Sequence, residues 1–167
     1  LSSFGPWELE YKECFGRKPL SQRINGSMTL ENKKQYFYGS DTELTLISYQ
    51  SVSPLVEHIQ YYLRHNKVML VLDEAHKIKN TGGGVYANAV MTLANNAKSR
   101  VVLTGTPAPN GYEDVYNLFH FIWPHRDVIN YSVGQLKDMS KNSSDTRVPQ
   151  LMKNLSPYFI RIRKSDL

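Results

Sequence analysis

The chain has 167 residues, 41% apolar and 21% charged, which is enough for one buried core and too little charge for wholesale disorder. It holds no run of the roughly 18 consecutive apolar residues that a membrane helix needs, and its single cysteine, Cys14, excludes an internal disulfide framework and a Cys-rich zinc site. Lys and Arg outnumber Asp and Glu by 20 to 15, and the formal charge of +5 suits a polyanionic partner without identifying one.

The opening Leu1-Ser2-Ser3-Phe4-Gly5-Pro6 lacks the basic and apolar regions of a secretory signal, which predicts an intracellular protein. It also lacks an initiator Met, which predicts a piece of something longer. Pro6 suits a helix start, and Trp7, Tyr11, Cys14 and Phe15 fall on one helical face. Residues 16–42 are polar and rich in Gly, Lys, Asn and Ser, and read as a loop excursion with a short strand around Tyr36–Tyr38. Leu44–Ser48 reads as a strand. Ser53-Pro54 starts a helix with Leu55, Ile59 and Leu63 inward.

Val68–Leu72 is a continuous apolar run, the pattern of a strand buried on both faces of a parallel sheet. Tyr86, Val90, Leu93 and Ala97 form the next helical stripe, and Arg100–Leu103 repeats the buried-strand pattern. A helix with Val115, Leu118, Phe119 and Ile122 inward ends at Trp123-Pro124. Residues 125–146 are polar and poorly patterned, and Val148, Leu151, Met152 and Leu155 suggest a last short helix. Tyr158, Ile160 and Ile162 alternate with Phe159, Arg161 and Arg163, which predicts a basic strand over 156–167. The order of strands and helices is that of an α/β fold with a mainly parallel sheet flanked by helices.

Open parallel sheets bind ligands beyond the carboxyl ends of their strands. Three such ends carry polar clusters: Ser48-Tyr49-Gln50, Asp73-Glu74-Ala75-His76 and Thr104-Gly105-Thr106. On an extended backbone successive side chains point apart, so Asp73 can face a hydrated Mg²⁺ while Glu74 orients a water, the two tasks of phosphoryl transfer. The competing reading is an N-cap pair, but the next clear helical stripe begins only near Val85, after Thr81-Gly82-Gly83-Gly84. No HExxH or His/Cys cluster supports a zinc site.

Val71-Leu72-Asp73-Glu74-Ala75-His76-Lys77-Ile78-Lys79-Asn80 resembles the Walker B (DEAH-box) segment of superfamily 2 helicases, in the version of Swi/Snf-type DNA translocases. Leu103-Thr104-Gly105-Thr106-Pro107-Ala108-Pro109-Asn110 is similar to that family's coupling motif, and Glu113–Phe119 with Trp123-Pro124 to the helix after it. Pro6-Trp7-Glu8-Leu9-Glu10, Leu46-Ile47-Ser48-Tyr49-Gln50 and Phe159–Leu167 resemble further family segments in the same order. The resemblance covers nearly the whole chain. It implies a partial RecA-like first lobe, P-loop NTPase-like, lacking its first strand and phosphate loop: no Gly-Lys pair occurs in the sequence. That loop is expected upstream of residue 1, and the second lobe with its arginine finger downstream of Leu167.

By the same resemblance the cofactors are ATP and Mg²⁺, and the partners are double-stranded DNA and the second RecA-like lobe, with no membrane. Asp73 would bind the Mg²⁺ of Mg-ATP through water, Glu74 would polarise the attacking water, and His76 would hydrogen-bond towards the coupling segment. Thr104, Gly105 and Thr106 would relay between the ATP cleft and the nucleic acid. Lys77, Lys79 and Asn80 would touch phosphate oxygens, with a solvated surface as the alternative. Arg161, Arg163 and Lys164 would face DNA or, preferably, the second lobe, and Ser48 and Tyr49 would contact the nucleic-acid backbone. The 167-residue chain alone is expected to hydrolyse no ATP, because the phosphate anchor and the arginine finger lie outside it. The alternatives are a stand-alone nucleic-acid or protein-binding module without ATPase activity, and a lobe of an RNA or single-strand helicase.

Overall fold

The computed structural model describes residues 4–39, 41–79, 84–142 and 144–162. Helix α1 (Phe4–Phe15) forms where predicted but buries no residue: Phe15 is 67% exposed and Cys14 is exposed too. Polar contacts hold it instead. Glu8 pairs with Arg23 and accepts from Ser21 Oγ at 2.7 Å, and beyond the helix Arg17 pairs with Glu43 at 2.6 Å.

These pairs make a pH prediction. Hydrogen bonds from Arg23 and then Ser21 hold Glu8 down at about 2, and bonds from Arg17 and then the Leu20 N–H do the same for Glu43. As pH falls below the ordinary 4.5, the unfolded chain takes up protons that the folded chain refuses, so the stabilisation present above 4.5 is lost towards pH 2. The melting temperature is expected to fall across that window, and less steeply in Glu43→Gln. A variant as steep as wild type would remove Glu43 from the effect.

Residues 16–42 are not a loop excursion. They contain β1 (Ser21–Ile24) and α2 (Leu30–Gln35), and β1 pairs in parallel with β2 (Leu44–Ile47), Ser21 opposite Leu44. The polar run conceals the strand because its buried positions are Gln22 and Ile24. The Gln22 amide is satisfied by Thr45 Oγ1 at 2.8 Å and the Tyr36 carbonyl at 3.2 Å, so a polar side chain fills a core position at little cost. Thr29 caps α2 by accepting from Asn32 N at 3.3 Å. Tyr36–Tyr38, predicted as a strand, form the turn leaving α2.

The helix predicted from Ser53 begins earlier, as α3 (Tyr49–Val52), passes through a 3₁₀ turn at Ser53–Leu55 and continues as α4 (Val56–His65) with Ile59 and Leu63 buried. Pro54 falls in that turn, where its missing N–H breaks the ladder between the two helices. Strand β3 (Met69–Leu72) pairs in parallel with β4 (Ser99–Val102), Leu72 opposite Val102, across α5 (Val85–Ala94). The chain is therefore α/β with short parallel pairs flanked by helices. The described residues form two two-stranded sheets rather than one. β3 and β4 are correspondingly less covered than their apolar runs predict, with Met69 61% exposed.

Helix α6 (Val115–Ile122) points Val115, Leu118, Phe119 and Phe121 inward and stops at Trp123, ahead of Pro124. The Arg100 guanidinium fastens β4 to the ends of α5 and α6, donating to the carbonyls of Ala94, Ala97 and Ile122 at 2.8–2.9 Å.

The stretch 125–146, read as unpatterned, holds α7 (Val133–Lys141), which buries Leu136 and Met139. A reciprocal capping box starts it: Gln135 N donates to Ser132 Oγ at 3.2 Å and Ser132 N to Gln135 Oε1 at 2.8 Å. Ser132→Ala should cost about 1 kcal/mol of stability, read as a lowered melting temperature. An unchanged melt would show that α7 is held by packing alone. Helix α8 (Val148–Leu155) buries Leu151 and Leu155 as predicted.

The predicted basic strand does not form within the described residues. Ser156–Tyr158 is a 3₁₀ turn, Ile160 is 87% exposed and Arg161 is exposed. Alternation alone makes no strand, because the ladder needs a neighbour to pair with. Arg163 and Lys164 lie outside the described residues. Among those described, no helix is long and apolar enough to cross a membrane.

Candidate active site at the strand ends

Parallel pairing puts the residues after β3 and β4 on one rim, so Asp73 and Glu74 leave beside Leu103 and Thr104. Leu103 N donates to the Leu72 carbonyl at 2.8 Å and Ala75 N to the Leu103 carbonyl at 2.9 Å, extending the ladder past the strands into both polar clusters. The third cluster joins them through Tyr49, whose hydroxyl donates to the Asp73 carbonyl at 2.8 Å. Burial, and after it the Asp73 and Glu74 charges, push that phenol well above its ordinary range, so it stays a donor at any working pH.

Glu74 lies in the left-handed region, φ 50°, ψ 47°. A non-glycine residue there is strained by about 1–3 kcal/mol and persists only where its surroundings fix it. Here the turn swings an extended strand directly into the 3₁₀ helix Ala75–Ile78 and separates the two carboxylates. The Asp73 carboxylate is half-buried: Oδ1 accepts from Glu74 N at 2.9 Å and Oδ2 from Trp7 Nε1 at 3.2 Å. The Glu74 carboxylate is exposed and meets His76 Nδ1 at 3.1 Å. His76 thus turns to Glu74, and the bonds from this segment to the coupling turn come from its neighbours.

Those neighbours are Ala75 and Lys79. Lys79 is only 8% exposed, and its Nζ donates to the Thr106 carbonyl. Thr104 Oγ1 accepts from Thr106 N at 3.3 Å, which folds the Thr104–Thr106 turn, and Gly105 is exposed with open space around it. Ser48 turns inward to Ser51 Oγ at 3.0 Å, and that same oxygen accepts from the buried Lys33 Nζ at 3.3 Å. Lys77 is exposed, 5.2 Å from the centre of the Tyr49 ring. Arg161 takes part in no described contact with this rim, and Asn80 and Arg163 lie outside the described residues.

Three contributors escaped the sequence reading in these roles. Trp7, noted only for its place in a family segment, reaches Asp73. Asn117 Nδ2 donates to the Ile78 carbonyl at 2.7 Å, and buried Asp114 accepts from Asn110 N at 3.0 Å. Asp114 carried a signal, an acid just ahead of an apolar helix. The other two are long-range contacts that no local pattern announces.

The donor set suits magnesium. Among the described residues no three His, Cys, Asp or Glu side chains cluster as a metal cage. Mg²⁺ ordinarily avoids such cages, keeping several waters and using one or two carboxylates together with substrate phosphates. Asp73 offers an acceptor-only carboxylate, held by two N–H donors and with further lone pairs on both oxygens.

An acidic pair and the Thr104–Thr106 turn thus share one rim of parallel strands in an α/β chain. The family described as the SNF2-related domain matches residues 1–167, and the chain belongs to that family. It is 28% identical over 185 residues to Helicase SWR1 of Eremothecium gossypii, covering 96% of this chain and 12% of that protein. It is equally similar, 28% over 182 residues, to Helicase swr1 of Schizosaccharomyces pombe, covering 96% and 14%. Against the Chromodomain-helicase-DNA-binding protein 3 homolog of Caenorhabditis elegans it is 33% identical over 163 residues, 96% and 8%. The chain thus spans 8% to 14% of the length of these three relatives.

Proposed function

We propose that this chain is part of the first lobe of an intracellular motor that hydrolyses ATP to move on double-stranded DNA. The observation that carries the proposal is the shared rim, where the backbone bond from Ala75 to Leu103 locks the acidic pair to the threonine turn. Mg²⁺, when bound with ATP, supplies charge neutralisation at the phosphates, and Asp73 is the residue that would hold it through water.

The remaining work falls to the side chains. Glu74 orients the attacking water, with the His76 ring 3.1 Å from its carboxylate. Trp7 holds the Asp73 carboxylate in place at the strand end. Thr104, Gly105 and Thr106 form the turn that senses the nucleotide. Lys77, exposed over the Tyr49 ring, makes the DNA-facing side, with Arg161 leading towards a second lobe. Relatives named helicases favour this reading over a stand-alone binding module.

ATP hydrolysis by the complete protein, measured with duplex DNA, single-stranded DNA and RNA of equal length, tests the proposal. Stimulation greatest with duplex DNA is expected. Greatest stimulation by RNA would transfer the lobe to an RNA helicase, and no hydrolysis under any condition would leave the binding module.

A further inference from the structure

We infer that Lys79 is a positioning residue that holds the Thr104–Thr106 turn in register with the Asp73–Glu74 strand end, so that its ammonium serves coupling and not a DNA phosphate. The inference rests on the motor reading above and assigns Lys79 a place within it.

The 3₁₀ helix Ala75–Ile78 is fastened to the turn at both ends. Ala75 N donates to the Leu103 carbonyl at 2.9 Å, and Lys79 Nζ donates to the carbonyl of Thr106. A third tie, from Asn117 Nδ2 to the Ile78 carbonyl at 2.7 Å, fixes the same helix to α6. Segment and turn can therefore move only as one body, or by breaking the bond at Lys79.

Burial makes this lysine unlike its neighbour. Lys79 is 8% exposed, whereas Lys77 is exposed and lies over the Tyr49 ring. An ammonium taken out of water is costly unless it is bonded and faces an opposite charge. Lys79 has both, the Thr106 carbonyl and the field of Asp114. Burial pushes its ammonium below the ordinary range, and Asp114 opposes that shift. Asp114 is itself buried and accepts from Asn110 N at 3.0 Å and Asn110 Nδ2 at 3.3 Å, which closes the far end of the segment that starts at the turn. A charged donor on a long stem is what this slot requires, and the bond to the Thr106 carbonyl already engages the ammonium.

The test uses the complete protein with Lys79→Met, Lys79→Arg and the control Glu74→Gln. Hydrolysis is measured with and without saturating duplex DNA, and DNA affinity across a range of salt. Lys79→Met fills the slot but donates nothing. It is expected to lower stimulation by DNA about tenfold or more while leaving the dependence of log affinity on log salt unchanged. Lys79→Arg, which keeps a charged donor, should recover most of the stimulation.

Stimulation within about twofold of wild type in Lys79→Met would overturn the inference. So would a salt slope reduced by about 0.9, the signature of one lost phosphate contact. Unaltered turnover in Glu74→Gln would instead remove the motor reading and the inference with it. A second measurement needs no variant: in the wild-type protein, acetylation by N-hydroxysuccinimidyl acetate should reach Lys79 about tenfold more slowly than Lys77. Equal rates would overturn the burial on which the inference stands.

Discussion

Glu74→Gln in the complete protein is expected to bind ATP with near wild-type affinity and to lose about 10²–10⁴-fold of its DNA-stimulated turnover. The substitution keeps the length and shape of the side chain and adds no new demand on the left-handed backbone at this position. It removes the negative oxygen that faces His76 Nδ1 and would orient a water. Because Glu74 is exposed and bonded only at the rim, the folded structure should be undisturbed. Binding and turnover measured on one preparation separate the two effects. A Glu74→Gln protein that turns over at the wild-type rate would take Glu74 out of the chemistry.

Phe121→Ala is expected to be the most damaging core substitution, costing about 3–5 kcal/mol. Phe121 is fully buried on α6 and is the largest of the side chains enclosed to that degree. Truncating it removes a ring's worth of apolar contact and leaves a cavity that helices anchored on several sides cannot close. Against a total stability of about 5–15 kcal/mol, that loss is a large share. It also reaches the site, since α6 carries Asn117, whose amide holds the Ile78 carbonyl just beyond the acidic pair. Pulse proteolysis of the complete protein should show this region opening far more readily. Met152→Ala on α8, where the side chain is 45% exposed, should change little. Equal protection in the two variants would mean that the α6 core is less tightly packed than its burial indicates.

The parts of the fold that were legible in the sequence are those where apolar patterning alone decides the structure. Strands β2, β3 and β4 announce themselves as apolar runs, and α5 and α6 as stripes. The polar parts were harder. β1 hides because Gln22 occupies a buried position and is satisfied only by partners brought in from Thr45 and Tyr36. The same holds for α2, which buries Lys33 against Ser51. α7 was readable in principle, since Ser132 and Gln135 have the spacing of a capping box, but Gly134 and the polar surroundings mask the stripe of Leu136 and Met139.

The site divides in the same way. The acidic pair, the threonine turn and Tyr49 were placed by the rule that strand ends carry ligands, and the parallel register brings them together. The assignment of Lys79 to phosphate contact did not allow for burial. A lysine two residues after an exposed one reads as solvated until the 3₁₀ helix turns it inward. The alternation at 158–162 misled because a strand needs a neighbour to pair with, and the described residues there form a 3₁₀ turn and irregular backbone instead.

Magnesium dependence of ATP binding, compared in the complete wild-type, Asp73→Asn and Glu74→Gln proteins, tests the division of labour between the two neighbouring acids most directly. The account predicts that Asp73→Asn weakens the magnesium-dependent part of the affinity by about 10–100-fold, and that Glu74→Gln leaves it within about twofold of wild type. Identical magnesium titrations for all three proteins would contradict it.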